Sequence, residues 1–410
     1  MTLKQFLAAC GHERCWLGDY VTKIGSGITP LGGNAVYTKS GIPLIRSQNV
    51  QVNHFDMDGL VYISKEQDSE MESSRVFPGD VLLNITGASI GRVCVVPEEI
   101  CPANVNQHVS IIRCKQEIHP EFLSYFVSTP EFQNFIMDTQ AGATRQALTK
   151  ALIENFQIPL PPLSEQKRIA TILSQQMAAV EGARAAAEAQ LEGAKALPGA
   201  YLRAIFNSPE AQRWPRKELG EACDLLPAKS IATDGDTEVL AITTACLTES
   251  GFQPAGVKPA KMWAVNAAEC VVSPGEVLIA RSNTPDLVGR VAMFAGNPRN
   301  AVASDLTIRI KPRDGVRAPF LTSYLSFLYL SGYWKNRAGG ASGSMKKITR
   351  TQLLSEQVPV PSLEVQQRIA TMLSEQLAAA EKTRKVLEEQ LATINKLPAA
   401  LLHRAFKGEL

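Results

Sequence analysis

The closing stretch of each half of this chain is one sequence written twice, 200 residues apart. Ile158-Pro-Leu-Pro-Pro-Leu-Ser-Glu-Gln-Lys-Arg-Ile-Ala-Thr-Ile-Leu-Ser174 returns without a gap as Val358-Pro-Val-Pro-Ser-Leu-Glu-Val-Gln-Gln-Arg-Ile-Ala-Thr-Met-Leu-Ser374, and the match runs on to Phe206 and Phe406. Of these 49 aligned positions 23 are identical, too many for two helices that share only an Ala-rich composition. Internal duplication therefore constrains the fold before any local propensity does. The order is variable module, shared helix, variable module, shared helix, a layout for doing one job twice with two specificities.

At 410 residues, 45% apolar and 20% charged, the chain can bury two ordinary cores. The sequence divides into an N-terminal extension (1–16), a first module (17–158), a first spacer helix (159–207), a linker (208–218), a second module (219–358) and a second spacer helix (359–410). A net charge of +2 hides an uneven distribution: residues 17–150 carry about −4 and residues 219–350 about +4. Within the second module, 281–350 holds twelve basic residues against three acidic ones, a balance suited to a polyanion. The eight cysteines form no C-x-x-C pair and no cluster with histidine, which reads as free thiols in a reducing cytoplasm. The apolar run 320–334 is shorter than the roughly 20 residues of a membrane span and is interrupted by Thr322, Ser323, Ser326 and Gly332; a core helix is expected there.

In both copies of the repeat, prolines block helix up to Pro162 or Pro361. Ser164 or Ser362 is placed to cap the first turn, with Glu165 or Glu364 at the positive end of the dipole. Apolar residues then recur in steps of three and four: Leu173, Met177, Val180, Ala187, Leu191 and Ala194, matched by Leu373, Leu377, Ala380, Leu387, Leu391 and Ile394. This is a coiled-coil seam. Arg184 and Arg384 interrupt it, each with a Glu three residues before and another four after, so pairing within the helix is expected. Pro198 and Pro398 should break or kink the helices, leaving rods of roughly 50 Å. Gly182 and Gly193 each weaken the first helix by about 1 kcal/mol relative to Ala. A packing partner is thus needed, and the second copy, antiparallel about an approximate twofold axis, is the natural one.

The modules echo one another beneath their divergence. Phe77-Pro-Gly-Asp80-Val-Leu-Leu and Gly91-Arg-Val correspond to Ser273-Pro-Gly-Glu276-Val-Leu-Ile and Gly289-Arg-Val, a turn, a buried strand, a loop and a second strand. The loops between the strands, 84–91 and 280–289, share almost nothing. A helix is expected at 120–138 and at 319–337, each followed by a Gly-rich loop, 141–150 or 341–350. One scaffold with different loops acquires two binding preferences.

Taken together, Pro159-Leu-Pro-Pro-Leu-Ser-Glu-Gln-Lys-Arg-Ile169, its copy at 359–369, the Gly-rich loops before them and the ending Leu402-His-Arg-Ala-Phe-Lys-Gly-Glu-Leu410 resemble the specificity subunits of type I restriction-modification systems. The resemblance spans nearly the whole chain. It implies a mixed α/β fold, with two target recognition domains separated by two long antiparallel coiled-coil helices. Each domain would read one half of a split, asymmetric double-stranded DNA site. The helices would set the spacing and hold two adenine-methyltransferase subunits, with restriction/translocase subunits completing the enzyme. S-adenosylmethionine, ATP and Mg would belong to those partners, and this chain would bind no cofactor and no metal. An alternative is a freestanding two-module DNA-binding protein.

Base edges are read best by forked donors, which selects Arg46, Asn84, Arg281 and Asn283 in the variable loops. Phosphates need only cations and hydroxyls, which selects Thr144, Arg145 and Lys150 in the first module and Ser344, Lys346, Lys347 and Arg350 in the second. No G-x-x-x-x-G-K-[ST] or G-x-G-x-x-G occurs, nor the Asp/Asn-Pro-Pro-aromatic motif of an amino-methyltransferase, and His12, His54, His108, His119 and His403 form no motif. Catalysis is expected to lie elsewhere.

Overall fold

The computed structural model describes residues 1–30, 32–140, 147–231, 235–342 and 344–410. It divides into two units: Met1–Ala186 with Leu391–Leu410, and Ala187–Gln390. Each unit takes most of its residues from one module and borrows a segment of the other half's repeat.

Unit 1 is built on a four-stranded antiparallel sheet in the order Val21–Ser26, Val109–Cys114, Val81–Asn84, Val93–Val95. The central strand Val81–Asn84 is buried at every position, because both faces are covered. Successive side chains alternate between faces. Val81 and Leu83 join Ile112, Phe122 and Phe126 in the helix-facing core, while Leu82 joins Ile111 and Cys94 in a second core. A second four-stranded sheet follows the order Val61–Ile63, Ile42–Ile45, Ala103–Val105, Arg75–Val76. Unit 2 repeats the plan. Its first sheet runs Cys223–Leu226, Thr307–Pro312, Val277–Ala280, Val291–Met293, and its second runs Val257–Met262, Thr237–Ile242, Ala301–Ala303.

Each helix expected after these sheets is split in two. Pro120–Val127 stops at Ser128 and a new helix, Pro130–Gln140, begins on a proline, which lacks the N–H that would continue the first. Ala318–Leu330 stops before Gly332, whose φ of 75° no continuing helix can hold, and Tyr333–Arg337 follows. A two-stranded clasp, Arg14–Trp16 with Gln157–Pro159 or Arg216–Glu218 with Gln357–Pro359, then delivers the chain to the repeat helix.

The repeat helices run Leu163–Phe206 and Leu363–Ile394, the second followed by Leu397–Phe406. Ser362 caps its helix by accepting from the Val365 N–H at 3.4 Å; Pro162 holds that place in the first copy, and Ser164 lies inside the helix instead of capping it. Nor does the first helix end at Pro198. It carries that proline internally for 44 residues, about 66 Å at ~1.5 Å per residue, longer than the sequence led one to expect. Packing outweighs the roughly 3 kcal/mol cost of an internal proline, since Leu202 and Phe206 beyond it are buried in unit 2 with Ile369, Ala370 and Leu373. In unit 1, Leu402, Ala405 and Phe406 are buried with Ile169, Ala170 and Leu173. Within each unit the end of one copy thus lies against the start of the other, which is antiparallel packing.

Of the seam, Leu173, Ala187, Leu191, Ala194, Leu373, Ala380, Leu387 and Ile394 are buried, while Met177, Val180, Leu377 and Leu391 are half-buried. Arg184 pairs with Glu181 at 2.6 Å, and Arg384 bridges Glu381 at 2.8 Å and Glu388 at 2.5 Å. The N-terminal extension is part of unit 1: helix Leu3–Ala9 buries Phe6, which stacks on His403 at 5.5 Å, and His403 in turn meets Glu131 at 2.8 Å. No helix among the described residues is long and apolar enough to cross a membrane.

Candidate nucleic-acid interface

The loops that differ between modules hang on one backbone frame. In unit 1 the residue after the central strand, Ile85, donates its N–H to the His108 carbonyl at 3.0 Å and accepts from the Leu148 N–H at 2.9 Å. In unit 2 Arg281 donates to the Leu306 carbonyl at 2.9 Å and accepts from the Ile348 N–H at 2.8 Å. The end of the central strand, the turn before the next strand and the closing residues of the Gly-rich loop therefore meet at the same end of each sheet.

An equally constant element underlies the frame. Asp80 and Glu276, the acidic residues of the two Pro-Gly turns, each close their own turn by accepting from the N–H of residue 77 or 273. Each also takes a two-pronged bond from an arginine on the neighbouring strand, Arg113 or Arg309, with all four contacts between 2.8 and 2.9 Å. The Glu276–Arg309 pair is 3% and 4% exposed, and Arg309 also donates to the carbonyls of Pro227, Glu269 and Val271. Its charge is fully used in holding these segments on the sheet.

The residues selected from sequence divide sharply. Asn84 is wholly buried and its amide nitrogen donates to the Ser47 carbonyl at 2.8 Å, so it braces the loop at 47–50 and cannot reach a base. Arg350 is likewise committed: its guanidinium donates to the carbonyls of Leu225 and Leu226, and burial followed by the nearby Arg281 charge lowers its pKa. It pins strand Cys223–Leu226 and is no free phosphate anchor. Arg46 donates to the Gly59 carbonyl at 2.6 Å and lies against the Tyr37 ring. Lys150 is exposed, 3.7 Å from Glu154. Thr144 and Arg145 lie outside the described residues.

Unit 2 brings its remaining candidates together. Ser282–Asn283, Met345–Lys347 and Gly339–Ser342 form a three-stranded sheet in which Asn283 stands opposite Lys346 and Ser282 opposite Lys347. Alternation puts Asn283 and Lys346 on one face and Lys347 on the other, so the two lysines are not a single patch. Ser344 is exposed in the turn between Gly339–Ser342 and the central strand Met345–Lys347, and Arg281 donates to the Asp305 carbonyl at 3.4 Å. An asparagine and a cation on one face of this ribbon suit the edge of a DNA groove.

Several residues escaped the sequence reading. Gln166 and Gln366, fully buried at equivalent repeat positions, each accept from one backbone N–H, His119 or Arg317, and donate to two carbonyls, locking the start of the repeat helix to its own module. Their identity in both copies was the visible signal. In unit 1 a hydrogen-bonded row of Thr29, Gln107, His108 and Thr86 occupies the frame's rim, with no sequence motif to announce it. The described cysteines are unpaired, and burial pushes the Cys94, Cys114 and Cys223 thiols up to about 12. Among the described residues no group of three or more His, Cys, Asp or Glu is placed to hold a metal.

The family model for the type I restriction modification DNA specificity domain matches residues 17–190 and again 213–389. The chain is 25% identical over 412 residues to the type I restriction enzyme EcoKI specificity subunit of Escherichia coli K12, covering 95% of this chain and 87% of that one. It is 24% identical over 386 residues to the StySPI specificity subunit of Salmonella potsdam, covering 90% and 82%. Among solved structures, a chain from a study of complex assembly and conformational transition of the type I R-M system shares the fold with a TM-score of 0.73 at 21% identity, covering 98% of each chain. The HsdS subunit of Thermoanaerobacter tengcongensis does so with a TM-score of 0.61 at 20% identity, covering 98% and 97%.

Proposed function

Since the chain belongs to the type I restriction modification DNA specificity family, matched twice along its length, we propose that it reads a bipartite, asymmetric DNA site, one half with each unit. It is a specificity chain, and the chemistry of its system resides in other subunits. The observation that carries the two-half reading is the repeated frame: Ile85 and Arg281 are held by the same pair of backbone bonds, while the side chains around them differ completely. Equal scaffolds with unequal rims favour two unlike half-sites and hence a target without a palindrome. The helical spacer favours a gap, with half-site centres one turn of B-DNA or somewhat more apart, about 34–36 Å or beyond.

Two adenine-methyltransferase subunits dock on the duplicated helices, one for each copy, because equivalent surfaces accept equivalent partners. Restriction/translocase subunits complete the assembly, and S-adenosylmethionine, ATP and Mg act within those partners. The test is to express the chain with its neighbouring methyltransferase in a host lacking adenine methylation and to map N6-methyladenine across the genome. A split, asymmetric motif methylated on both strands is expected. A continuous or palindromic motif, or methylation unchanged when this chain is omitted, would refute the reading; a soluble complex without methylation would point to a freestanding DNA-binding protein.

A further inference from the structure

Resting on that reading, we propose that Gln107 in unit 1 and Asp305 in unit 2 occupy one equivalent base-reading position, Gln107 selecting adenine and Asp305 selecting cytosine in the major groove. Strand register establishes the equivalence. Asn84 pairs with Val109 and Ala280 with Thr307, so Gln107 and Asp305 each precede the paired residue by two. Ile24 pairs with Ile112 and Leu225 with Ile310, which places Thr29 and Ser230 at matching positions on the first strand's exit. Both hydroxyls do the same work: Thr29 donates to the Gln107 side-chain oxygen, and Ser230 donates to the Asp305 carboxylate at 3.0 Å.

These tethers fix what each side chain still offers. The Gln107 amide nitrogen donates to His108 Nε2 at 3.0 Å, which leaves the ring proton on Nδ1, directed at Thr86 Oγ1 at 2.6 Å. Held at both ends, the exposed carboxamide keeps one N–H and one oxygen lone pair without a partner among the described residues. One donor beside one acceptor is the complement of adenine N7 and N6–H. Asp305 is bonded through one oxygen only, so its other oxygen offers acceptors alone, the complement of cytosine N4–H. Both residues lie on the rim beside the bond that anchors the variable loop, Ile85 to His108 or Arg281 to Leu306. The frame is constant, and the two rims present different hydrogen-bonding patterns, a donor beside an acceptor in unit 1 and acceptors alone in unit 2.

The experiment is methylome mapping of the chain expressed with its neighbouring methyltransferase in the methylation-free host, comparing wild type with Asp305→Asn and Gln107→Glu. Both substitutions are isosteric, and each new side chain keeps an oxygen to accept the Thr29 or Ser230 hydroxyl; in Gln107→Glu the second oxygen accepts from His108 Nε2 once the ring proton moves there from Nδ1, which then accepts the Thr86 hydroxyl. Asp305→Asn should move one position of one half-site from cytosine toward adenine, and Gln107→Glu one position of the other half-site from adenine toward cytosine. Each preference should change by roughly 5- to 150-fold, the range of a good base contact, with the opposite half-site unchanged. Variant motifs identical to wild type would overturn the proposal. So would methylation lost at every site in both variants while the complex with the methyltransferase is still recovered, since that marks the residues as scaffold. A wild-type chain that yields no split motif would instead refute the specificity reading itself, a result distinguishable from either of these.

Discussion

Replacing Arg309 by Ala should destabilise unit 2 more than the equivalent Arg113→Ala destabilises unit 1. Arg309 is 4% exposed and makes two bonds to the Glu276 carboxylate and three to backbone carbonyls, while Glu276 is 3% exposed. Removing the guanidinium leaves a buried carboxylate without its counter-ion, a loss of about 3–5 kcal/mol. For a unit of this size each kcal/mol moves the midpoint by roughly 2–4 °C, so a fall of roughly 6–20 °C is expected. Asp80 is as buried as Glu276, at 1% exposed, but Arg113 is 30% exposed, so water can reach the stranded carboxylate, and Arg113 holds one backbone carbonyl where Arg309 holds three; the loss there should be smaller, about 2–3 kcal/mol. Hydrogen exchange separates the units: the amides of Leu278 and Ile308 report on one sheet, those of Leu82 and Ile111 on the other. The double variant Glu276→Leu with Arg309→Met should recover only part of the loss: it removes the stranded carboxylate, but leaves the Ser273 N–H and the carbonyls of Pro227, Glu269 and Val271 without their side-chain partners. A loss below about 1 kcal/mol at Leu278 in Arg309→Ala would refute the reasoning.

Lys346→Ala, which shares a face with Asn283, should weaken binding to nonspecific duplex DNA and lower the slope of log affinity against log salt by about 0.9; an unchanged slope removes the phosphate contact. Gln366→Ala strips the Arg317 N–H and the Gly315 and Pro361 carbonyls of their partner and should cost about 1–3 kcal/mol in denaturant melts. Glu381, bonded first to Arg384 and also to Ser250, titrates at about 2 against an ordinary 4.5. A depressed carboxylate stabilises the fold above its ordinary value and loses that contribution as pH falls toward 2, so the stability gap between wild type and Arg384→Leu should narrow over that window. A gap that stays constant from pH 5 to 2 would contradict this.

Much of the candidate site was unreadable in advance for a definite reason. Asn84 and Asn283 look alike as loop asparagines, yet Asn84 is consumed by carbonyls at Ser47 and Val50, contributed by a loop some 34–37 residues away, and Asn283 stands opposite Lys346 on a half-exposed ribbon. Arg350 and Lys346 are both basic and nearly adjacent, but one is bonded to Leu225 and Leu226, 124–125 residues away in the chain. Which polar groups remain available is set by partners distant in sequence, and no local pattern encodes them.

The sequence by itself determined the duplication, the order of modules and helices, the buried central strands and the seam of the repeat. These are periodic or repeated features, carried by neighbouring residues and by direct comparison of the chain with itself. Tertiary structure alone decided that the helix passes through Pro198 to bury Phe206, that Phe6 of the extension belongs to the core of unit 1, and that Gln107 and Asp305 share a place on the frame. In each case the deciding energy is burial or a hydrogen bond between segments far apart in the chain, which exists only once the fold has brought them together.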